Sequence, residues 1–325
     1  MSDRQLSMAQ AINEAIRHEM RRNPEMILLG QDIGSYGGTF GVYKGLHDEF
    51  GPEVVRDGPL CEAATTGFGI GLALSGMPTI VEIEFIDFMT LASDALVNQA
   101  AKMRYFFGGQ VRVPLVVRTP IVSRLGLGAQ HSQSLESWFM HVPGLQLAIP
   151  SNAADAKGLL LTAIQSGNPT LFVEHVRLYS AKMHVDEADE PIPFGKLRVA
   201  RSGQDVTVVT YSGMVKPCLD AAEQLAEQGI DCEVLDLRTL APLDRAGICE
   251  SVKKTGRLVI AHEGVKTGGV GAEVGQSVME GAFDYLQAPI QRVASKDLPI
   301  PTGTLQDLVF PSSEDVISAA RKVMQ

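Results

Sequence analysis

Three segments in the first half of the sequence carry side chains that could take part in catalysis. Glu62 lies in DGPLCEAATTGFGIGLALSG (57–76), a segment rich in glycine and other small residues. Acidic residues alternate with apolar ones in EIEFIDF (82–88), and His131 lies in the glycine-flanked loop LGAQHSQSLESWF (127–139). Carboxylates and imidazoles are common general acids and bases. These segments therefore hold the candidate catalytic groups.

Glu62 has a structural explanation and a functional one. An acid in the first turn of a helix is stabilised by the helix dipole, which requires no ligand. The neighbouring residues are almost wholly apolar and small, however, and an exposed acid would be out of place among them. We therefore expect Glu62 to be buried. Gly67, Gly69 and Gly71 would let the same helix approach another backbone closely.

The acids of 82–88 and His131 also have more than one interpretation. Three acids could suggest a hard-cation site, but the period of a strand merely places Glu82 and Glu84 on one face. A lone histidine is most often a packed structural residue. Metal ligation is disfavoured because His141, the next histidine, is far along the chain and no acid or cysteine stands at a ligand spacing. Acid–base chemistry at His131 remains open, since imidazole titrates near neutral pH.

The composition limits the class of protein. The chain has 325 residues, a net charge of −10 and four cysteines without a CxxC pair. This length suits two domains of ordinary size. The acidic balance and the absence of a basic block disfavour nucleic acid and anionic membrane surfaces as partners. No apolar run reaches membrane-spanning length, and the cysteines are expected to stay reduced, so we expect a cytoplasmic protein.

Helical periodicity alternates with short β-branched runs along most of the chain, which predicts parallel sheets covered by helices on both faces. Ser7 is expected to cap the first helix, which stops before Pro24. The acidic, proline-containing segment 185–196 interrupts the alternation, so the predicted domains are 1–190 and 191–325. Strands are predicted at 26–30, 79–85, 114–119, 145–150, 170–175, 205–213, 232–240, 257–264 and 290–295. Further helices are predicted at 62–75, 88–103, 151–166, 215–229, 270–282 and from about 314.

The glycine-rich segment GGVGAEVG (268–275) superficially resembles a dinucleotide-binding fingerprint. Its third required glycine is missing, because Val274 follows Gly269 and Gly271, and the segment lies late in the chain. These glycines are expected to serve tight turning and packing. A nicotinamide cofactor is not predicted here.

Taken in order, the segments resemble a known family over essentially the full length. The family is that of the β subunits of thiamine-diphosphate-dependent 2-oxo acid dehydrogenases, the decarboxylase components of pyruvate, branched-chain and acetoin dehydrogenase complexes. The resemblance implies an α/β fold with a thiamine-diphosphate-binding, pyrimidine-binding domain and a C-terminal transketolase-like α/β domain. It rests on LLGQDIGSYGG (28–38), DGPLCE (57–62), GMPTIVEIEFIDF (76–88), NQAAKMRYFFGGQ (98–110), GAQHSQS (128–134), HVPGLQLAIPSNAADAKGLL (141–160) and GGVGAEV (268–274).

The resemblance also implies roles for individual residues. Glu62 matches the glutamate that contacts the aminopyrimidine nitrogen of the cofactor, Phe88 the aromatic residue beside that ring, and His131 the active-site histidine of the AQHSQ motif. Related chains often carry glycine where this one has Ala64, so helix packing at the cofactor could differ slightly. In related subunits a structural potassium ion is held by backbone oxygens that match Leu115, Ala163, Ile164, Ser166 and Asn168.

The magnesium- and diphosphate-binding GDG motif of this superfamily does not occur in the sequence. The resemblance therefore implies half an active site, with an α subunit supplying magnesium and the diphosphate half in an α2β2 assembly. The implied activity is decarboxylation of a 2-oxo acid, or cleavage of acetoin, with acyl transfer to lipoamide on an acyltransferase component. The alternatives are one subunit of a split transketolase and a non-catalytic scaffold subunit.

Overall fold

A computed structural model describes residues 4–325, and this part of the chain forms two compact units. The first unit contains the described residues up to Val122 together with Trp138–Phe194. The second contains Ser123–Ser137 and Gly195–Gln325. The domain limits 1–190 and 191–325 stay a prediction, because compact contact units are not the same as domains that fold independently.

Six parallel strands form the sheet of the first unit, in the spatial order β6-β7-β5-β4-β2-β3. Four of them are almost fully buried and rich in β-branched residues, as expected for a sheet covered on both faces. A separate antiparallel ladder joins β1 and β8. The strands are β1 (Gln5–Ser7), β2 (Ile27–Gly30), β3 (Val55–Asp57), β4 (Thr79–Glu82), β5 (Leu115–Ile121), β6 (Gln146–Ala148), β7 (Thr170–His175) and β8 (Lys182–His184).

The helices of the first unit cover both sheet faces. Ser7 caps α1 through a reciprocal capping box with Gln10, as its sequence predicts. The buried face of α1 packs with α7 on the side of Ile80, whereas α3 packs on the opposite side, beside Val81. The α helices in chain order are α1 (Met8–Arg22), α2 (Leu46–Phe50), α3 (Glu62–Leu74), α4 (Met89–Asp94), α5 (Ala101–Phe106), α6 (Glu136–Met140) and α7 (Ala153–Gln165). The first two residues of α6 belong to the second unit and its remaining residues to the first.

The second unit is built on a five-stranded sheet in the order β14-β13-β10-β11-β9. Its pairs are parallel except for β9, which runs antiparallel to β11. Helices α8 and α11 pack against this sheet in one apolar core. The elements are β9 (Arg198–Arg201), β10 (Val206–Thr210), α8 (Val215–Ala226), β11 (Cys232–Asp236), β12 (Thr239–Ala241), α9 (Arg245–Thr255), β13 (Leu258–Val265), α10 (Val270–Gly281), β14 (Gln291–Ser295) and α11 (Ser313–Met324).

The predicted α/β fold with parallel sheets is confirmed, but several predicted elements differ from the structure. The strand predicted at 205–213 ends at Thr210, and the strand predicted at 232–240 divides into β11 and β12. The strand predicted at 79–85 ends at Glu82, because a 3₁₀ turn follows at Ile86–Phe88. The helix predicted at 88–103 is interrupted by π-helical turns at Ala95–Ala100. Apolar periodicity in 88–103 does not distinguish α from π turns, which are rare. Helix α9 was not predicted by its sequence pattern.

Candidate functional site

Glu62 is the first residue of α3, at the end of the loop that follows β3. Its side chain is only partly buried in this chain, so the expectation of a buried Glu62 is wrong here. Neighbouring Leu60 and Phe68 are even more exposed, at 70% and 53%. Glu62 shares the helical register of Thr65, Thr66 and Gly69, so it lies on the sheet-facing side of α3 at the N-terminal end of the helix, where its burial is incomplete.

A small cavity of about 20 Å³ adjoins Glu62. Its lining includes Thr65 from the buried side of α3 and Gln31 from the loop after β2. Residues from the end of β4, among them Ile83 and Glu84, complete the lining. A volume of this size is close to that of one water molecule. The cavity thus marks the wall beside the Glu62 carboxylate and lies at the carboxyl ends of β2 and β4, where ligands bind in parallel sheets.

The three glycines of α3 divide between its two faces. A Cβ atom on Gly69 would lie 2.5 Å from the side chain of Val81, so this glycine allows the helix to pack closely on its own sheet. Gly67 and Gly71 have no atoms within 4 Å of the corresponding position. The outward face thus combines small residues with exposed Phe68, a surface shaped for a close-packed neighbour.

Phe88 ends the 3₁₀ turn that follows β4. It is partly buried, and its ring lies 5.3 Å from the ring of Phe85, centroid to centroid. Phe85 in turn makes an edge-on contact with Phe40 at 6.1 Å. Contacts among these aromatic rings stabilise the position of the 3₁₀ turn and of the Phe88 side chain.

A buried ionic cluster lies beneath the same end of the first sheet. Arg118 is fully buried and donates two hydrogen bonds of 2.6 Å to Glu174, which also accepts one from Tyr179. Glu82 approaches the Arg118 guanidinium only to 3.8 Å. Burial raises the pKa of Glu82 to about 8, although Arg118 lowers it in part. One guanidinium thus lies beside two carboxyl groups, and burial favours the protonated form of Glu82.

His131 lies in the segment Ser123–Ser137, which belongs to the second unit. The Tyr211 hydroxyl donates a 2.7 Å hydrogen bond to the carboxylate of Glu136 in this segment. Burial and the neighbouring Glu136 carboxylate raise the pKa of Tyr211 well above its usual value, so the hydroxyl keeps its proton. At the other end of the segment, Glu263 accepts a 2.9 Å hydrogen bond from Ser123.

The structure therefore distributes the predicted site residues over two units. Glu62 and Phe88 belong to the first and His131 to the second. The five residues predicted to hold potassium all lie in the first unit, at the start of β5 and around the end of α7. Tyr211 and Glu263 are not among the candidate residues found from the sequence. Tyr211 follows one β-branched run and Glu263 lies near the end of another, both at the carboxyl edge of a predicted parallel sheet.

Three general features of the described residues bear on binding: groups of metal-ligating side chains, helices that could span a membrane, and cysteine thiols. Within residues 4–325 no group of three or more histidine, cysteine, aspartate or glutamate side chains is arranged to hold a metal ion. No helix in the same range is long and apolar enough to cross a bilayer. The four cysteines, Cys61, Cys218, Cys232 and Cys249, are all free thiols.

Comparison with known protein families divides the chain into two matched regions. Residues 4–182 match the family described as "Transketolase, pyrimidine binding domain". Residues 195–316 match "Transketolase, C-terminal domain". In three dimensions the chain resembles a "Split gene transketolase, inactive beta4 tetramer" with a TM-score of 0.81 over 98% of both chains. The sequence identity to that structure is 21%, so this similarity shows the fold alone.

Full-length relatives are more similar in sequence. The chain is 45% identical to the pyruvate dehydrogenase E1 component subunit beta of Rickettsia felis over 98% of both proteins. It is 42% identical to a mitochondrial subunit of the same name from Arabidopsis thaliana, covering 98% of this chain and 89% of that protein. It is 43% identical to the acetoin:2,6-dichlorophenolindophenol oxidoreductase subunit beta of Cupriavidus necator, covering 99% and 98%. The chain belongs to the family of pyruvate and acetoin dehydrogenase β subunits.

Proposed function

We propose that this chain is the β subunit of a decarboxylase component that acts with an α subunit and thiamine diphosphate on a 2-oxo acid. The observation that carries the proposal is full-length similarity to named β subunits at 40–45% identity, combined with Glu62 at the carboxyl edge of the first sheet. Transfer of the acyl group to lipoamide on an acyltransferase component would complete the oxidative reaction. Cleavage of acetoin is the second candidate, favoured by the 43% identity to the Cupriavidus subunit.

The side chains of the first unit fit the pyrimidine half of thiamine diphosphate. An aromatic ring with polar nitrogens requires an apolar wall and a hydrogen-bonding group at one edge. The ring of Phe88 supplies an apolar wall, and the Glu62 carboxylate supplies a hydrogen-bonding group. When bound, the cofactor supplies the nucleophilic carbon and the electron sink for loss of carbon dioxide.

In the proposed site Glu62 holds or shares a proton at the pyrimidine nitrogen. Its place at the start of α3 puts this carboxyl group beside the cavity at the carboxyl ends of β2 and β4. Phe88 excludes water beside the ring. His131 positions the substrate carbonyl or moves a proton at its oxygen, since imidazole titrates in the range that general acid–base catalysis uses.

An α subunit is the proposed partner because the GDG motif for magnesium and diphosphate is missing from this sequence. The uncovered face of α3 supports the same proposal. Exposed Phe68 and the open positions at Gly67 and Gly71 would be buried by another chain of an α2β2 assembly.

Potassium is proposed as a structural ion in the first unit. The carbonyl groups of the last turn of a helix lack intrahelical partners and carry partial negative charge, which suits a cation. Ala163 and Ile164 lie in the last turn of α7, and Ser166 and Asn168 follow it. Leu115, the first residue of the adjacent β5, completes the set.

The proposal is tested by reconstituting the chain with a candidate α subunit, a chain that carries the GDG motif, and assaying a panel of 2-oxo acids and acetoin with lipoamide. We expect Glu62→Gln to assemble normally and to lose about 10²–10⁴-fold in turnover, the usual contribution of one acid–base group. Near-normal turnover of the variant would remove Glu62 from the mechanism. Ketol transfer between sugar phosphates, without lipoamide-dependent oxidation, would instead identify a split transketolase.

A further inference from the structure

The segment Ser123–Ser137, which carries His131, is anchored at both ends by buried groups of the second unit. We infer that Glu263 and Tyr211 are positioning residues that hold this segment, and with it His131, in place for the reaction. The catalytic part of this inference rests on the proposed function. The anchoring itself rests on contacts within the second unit.

Glu263 holds the beginning of the segment. Its two carboxylate oxygens accept separate hydrogen bonds, one from the hydroxyl of Ser123 at 2.9 Å and one from Nε of Arg124 at 2.9 Å. The Arg124 guanidinium also lies over the ring of Phe310, 4.9 Å from its centre, and donates to the carbonyl of Pro311. Charge-assisted bonds to two consecutive residues fix the direction in which the chain enters the loop.

Tyr211 holds the end of the segment through its hydrogen bond to Glu136. The tyrosine ring is itself stacked on the ring of His262, with centroids 6.1 Å apart and planes inclined by 12°. His262 accepts a 3.2 Å hydrogen bond from the backbone N–H of Gly271 at the start of α10. Burial lowers the pKa of His262 to about 4, so the ring stays neutral and able to accept that bond. The ring that carries the Tyr211 hydroxyl is therefore held in place by the neutral His262 ring.

The two anchors stand side by side on one sheet. Glu263 lies on β13, and Tyr211 directly follows β10, its parallel neighbour, in which Val209 pairs with Ile260. Both anchors thus lie at the carboxyl ends of adjacent strands, the edge where parallel sheets present functional groups. Between the anchors, an antiparallel bridge from Leu127 to Thr302 adds a third fixed point.

Loss of an anchor is expected to displace His131 without removing any group that contacts substrate. A misplacement of about 1 Å can cost on the order of 10²-fold in rate. We therefore expect Glu263→Gln and Tyr211→Phe to lower kcat about 10-fold to 100-fold, while KM for the 2-oxo acid changes less than about twofold. Ser123→Ala, which removes a single hydrogen bond, should show a smaller effect of the same kind.

Glu233 offers a matched control in the same unit. Its buried carboxylate also accepts a hydrogen bond from a serine, Ser251, at 2.6 Å, and another from a cation, Lys254. Glu233→Gln therefore removes the same chemistry at equal burial, away from the segment that carries His131. Its kcat is expected to equal that of the unchanged enzyme at the same temperature.

A double-substitution cycle with His131→Gln separates positioning from general destabilisation. If Glu263 acts through His131, adding Glu263→Gln to His131→Gln should lower kcat little further, because coupled residues are not additive. Full additivity, or an equal loss of kcat in the Glu233→Gln control, would overturn the inference. These assays use the enzyme reconstituted with its α subunit.

Hydrogen exchange tests the anchoring without depending on turnover. In the full chain, amide protection of peptides within 123–137 should fall in Glu263→Gln and Tyr211→Phe and stay unchanged in Glu233→Gln. Unchanged protection in both anchor variants would overturn the inference even if the enzyme is active. Lack of turnover by the unchanged enzyme on every 2-oxo acid and on acetoin would instead count against the proposed function, whatever the exchange shows.

Discussion

Helix α3 and the segment Ser123–Ser137 carry the two strongest candidate catalytic residues, yet they are completed in different ways. The face of α3 that carries Gly67, Phe68 and Gly71 is uncovered, with Phe68 53% exposed. The segment that carries His131 has both of its ends bonded to buried groups of this chain. The Phe68 face of α3 thus stays exposed in this chain, whereas the segment that carries His131 is held by contacts within its own unit.

The difference suggests how a divided active site can be built. Hydrogen bonds are directional and can form entirely within one chain, because each donor lies at a defined distance from its acceptor. An apolar helix face with small residues gains stability only when a second surface excludes water from it. In this family member, assembly would cover Phe68 and the open glycine positions of α3, whereas the position of His131 would depend on the fold of the second unit.

The largest expected effect comes from placing a charge on the uncovered face of α3. Phe68→Asp should leave the isolated chain folded, since the side chain is exposed there, but should abolish association with the α subunit and all activity. A carboxylate buried without a partner at an interface carries a large desolvation penalty. Light scattering of the mixed subunits measures the assembly, and circular dichroism measures the fold.

A matched control for this prediction lies in the second unit. Phe283 is 58% exposed, and Phe283→Asp introduces the same charge at similar exposure away from α3. We expect the control to assemble. Normal assembly by Phe68→Asp, or equal loss in both variants, would show that the α3 face has no special part in association.

The two units also differ in the direction in which burial shifts the pKa of an ionisable side chain. In the first unit Glu82 shares Arg118 with Glu174, and burial raises the pKa of Glu82 to about 8. In the second unit His262 is held neutral, its pKa lowered by burial to about 4. An acid with a raised pKa and a base with a lowered pKa make stability change with pH in opposite directions.

For Glu82, the folded state retains a proton that the unfolded state releases above its ordinary pKa near 4.5. Stability of the first unit is therefore full below about pH 4.5 and declines as the pH rises towards 8, by a few kcal/mol in all. Glu82→Gln should remove this decline. Urea unfolding followed by hydrogen exchange of first-unit peptides measures it.

For His262, the unfolded state takes up a proton below about pH 6.5 that the folded state refuses until about pH 4. The second unit should therefore lose stability as the pH falls through this window, the opposite slope to that of Glu82. Peptides from the two units provide internal controls for each other. A common slope in both units, or an unaltered slope in Glu82→Gln, would contradict the assignment of these groups.

Sequence patterns were sufficient where structure depends on nearby residues. The capping box of α1, the buried strands and Glu62 at the start of α3 follow from local spacing and periodicity. The exposure of Glu62 could not be predicted in this way, because apolar neighbours indicate burial without saying which chain provides it. The same is true of any helix face that is buried only by another chain of an assembly.

The position of the segment that carries His131 could not be predicted from the sequence for a different reason. It directly follows β5 in the chain, so local patterns assign it to the first unit. Its anchors come from residues 140 and 75 positions away, Glu263 for Ser123 and Tyr211 for Glu136. Buried side-chain bonds over such separations leave no periodic signal in the sequence. Only the folded chain shows that these groups meet.

The smallest expected effects distinguish the two faces of α3 itself. Gly69→Ala would place a Cβ atom 2.5 Å from Val81, so the isolated chain should lose about 1–3 kcal/mol of unfolding free energy. Gly67 has nothing within 4 Å, and Gly67→Ala should stabilise the isolated chain by up to about 1 kcal/mol through helix propensity. The same substitution should weaken assembly, because the added methyl group holds the neighbouring chain away. Urea unfolding of the isolated subunit and titration with the α subunit separate the two effects. Equal stability changes at both glycines, or unweakened assembly of Gly67→Ala, would mean that the outward face is solvent-facing and not packed.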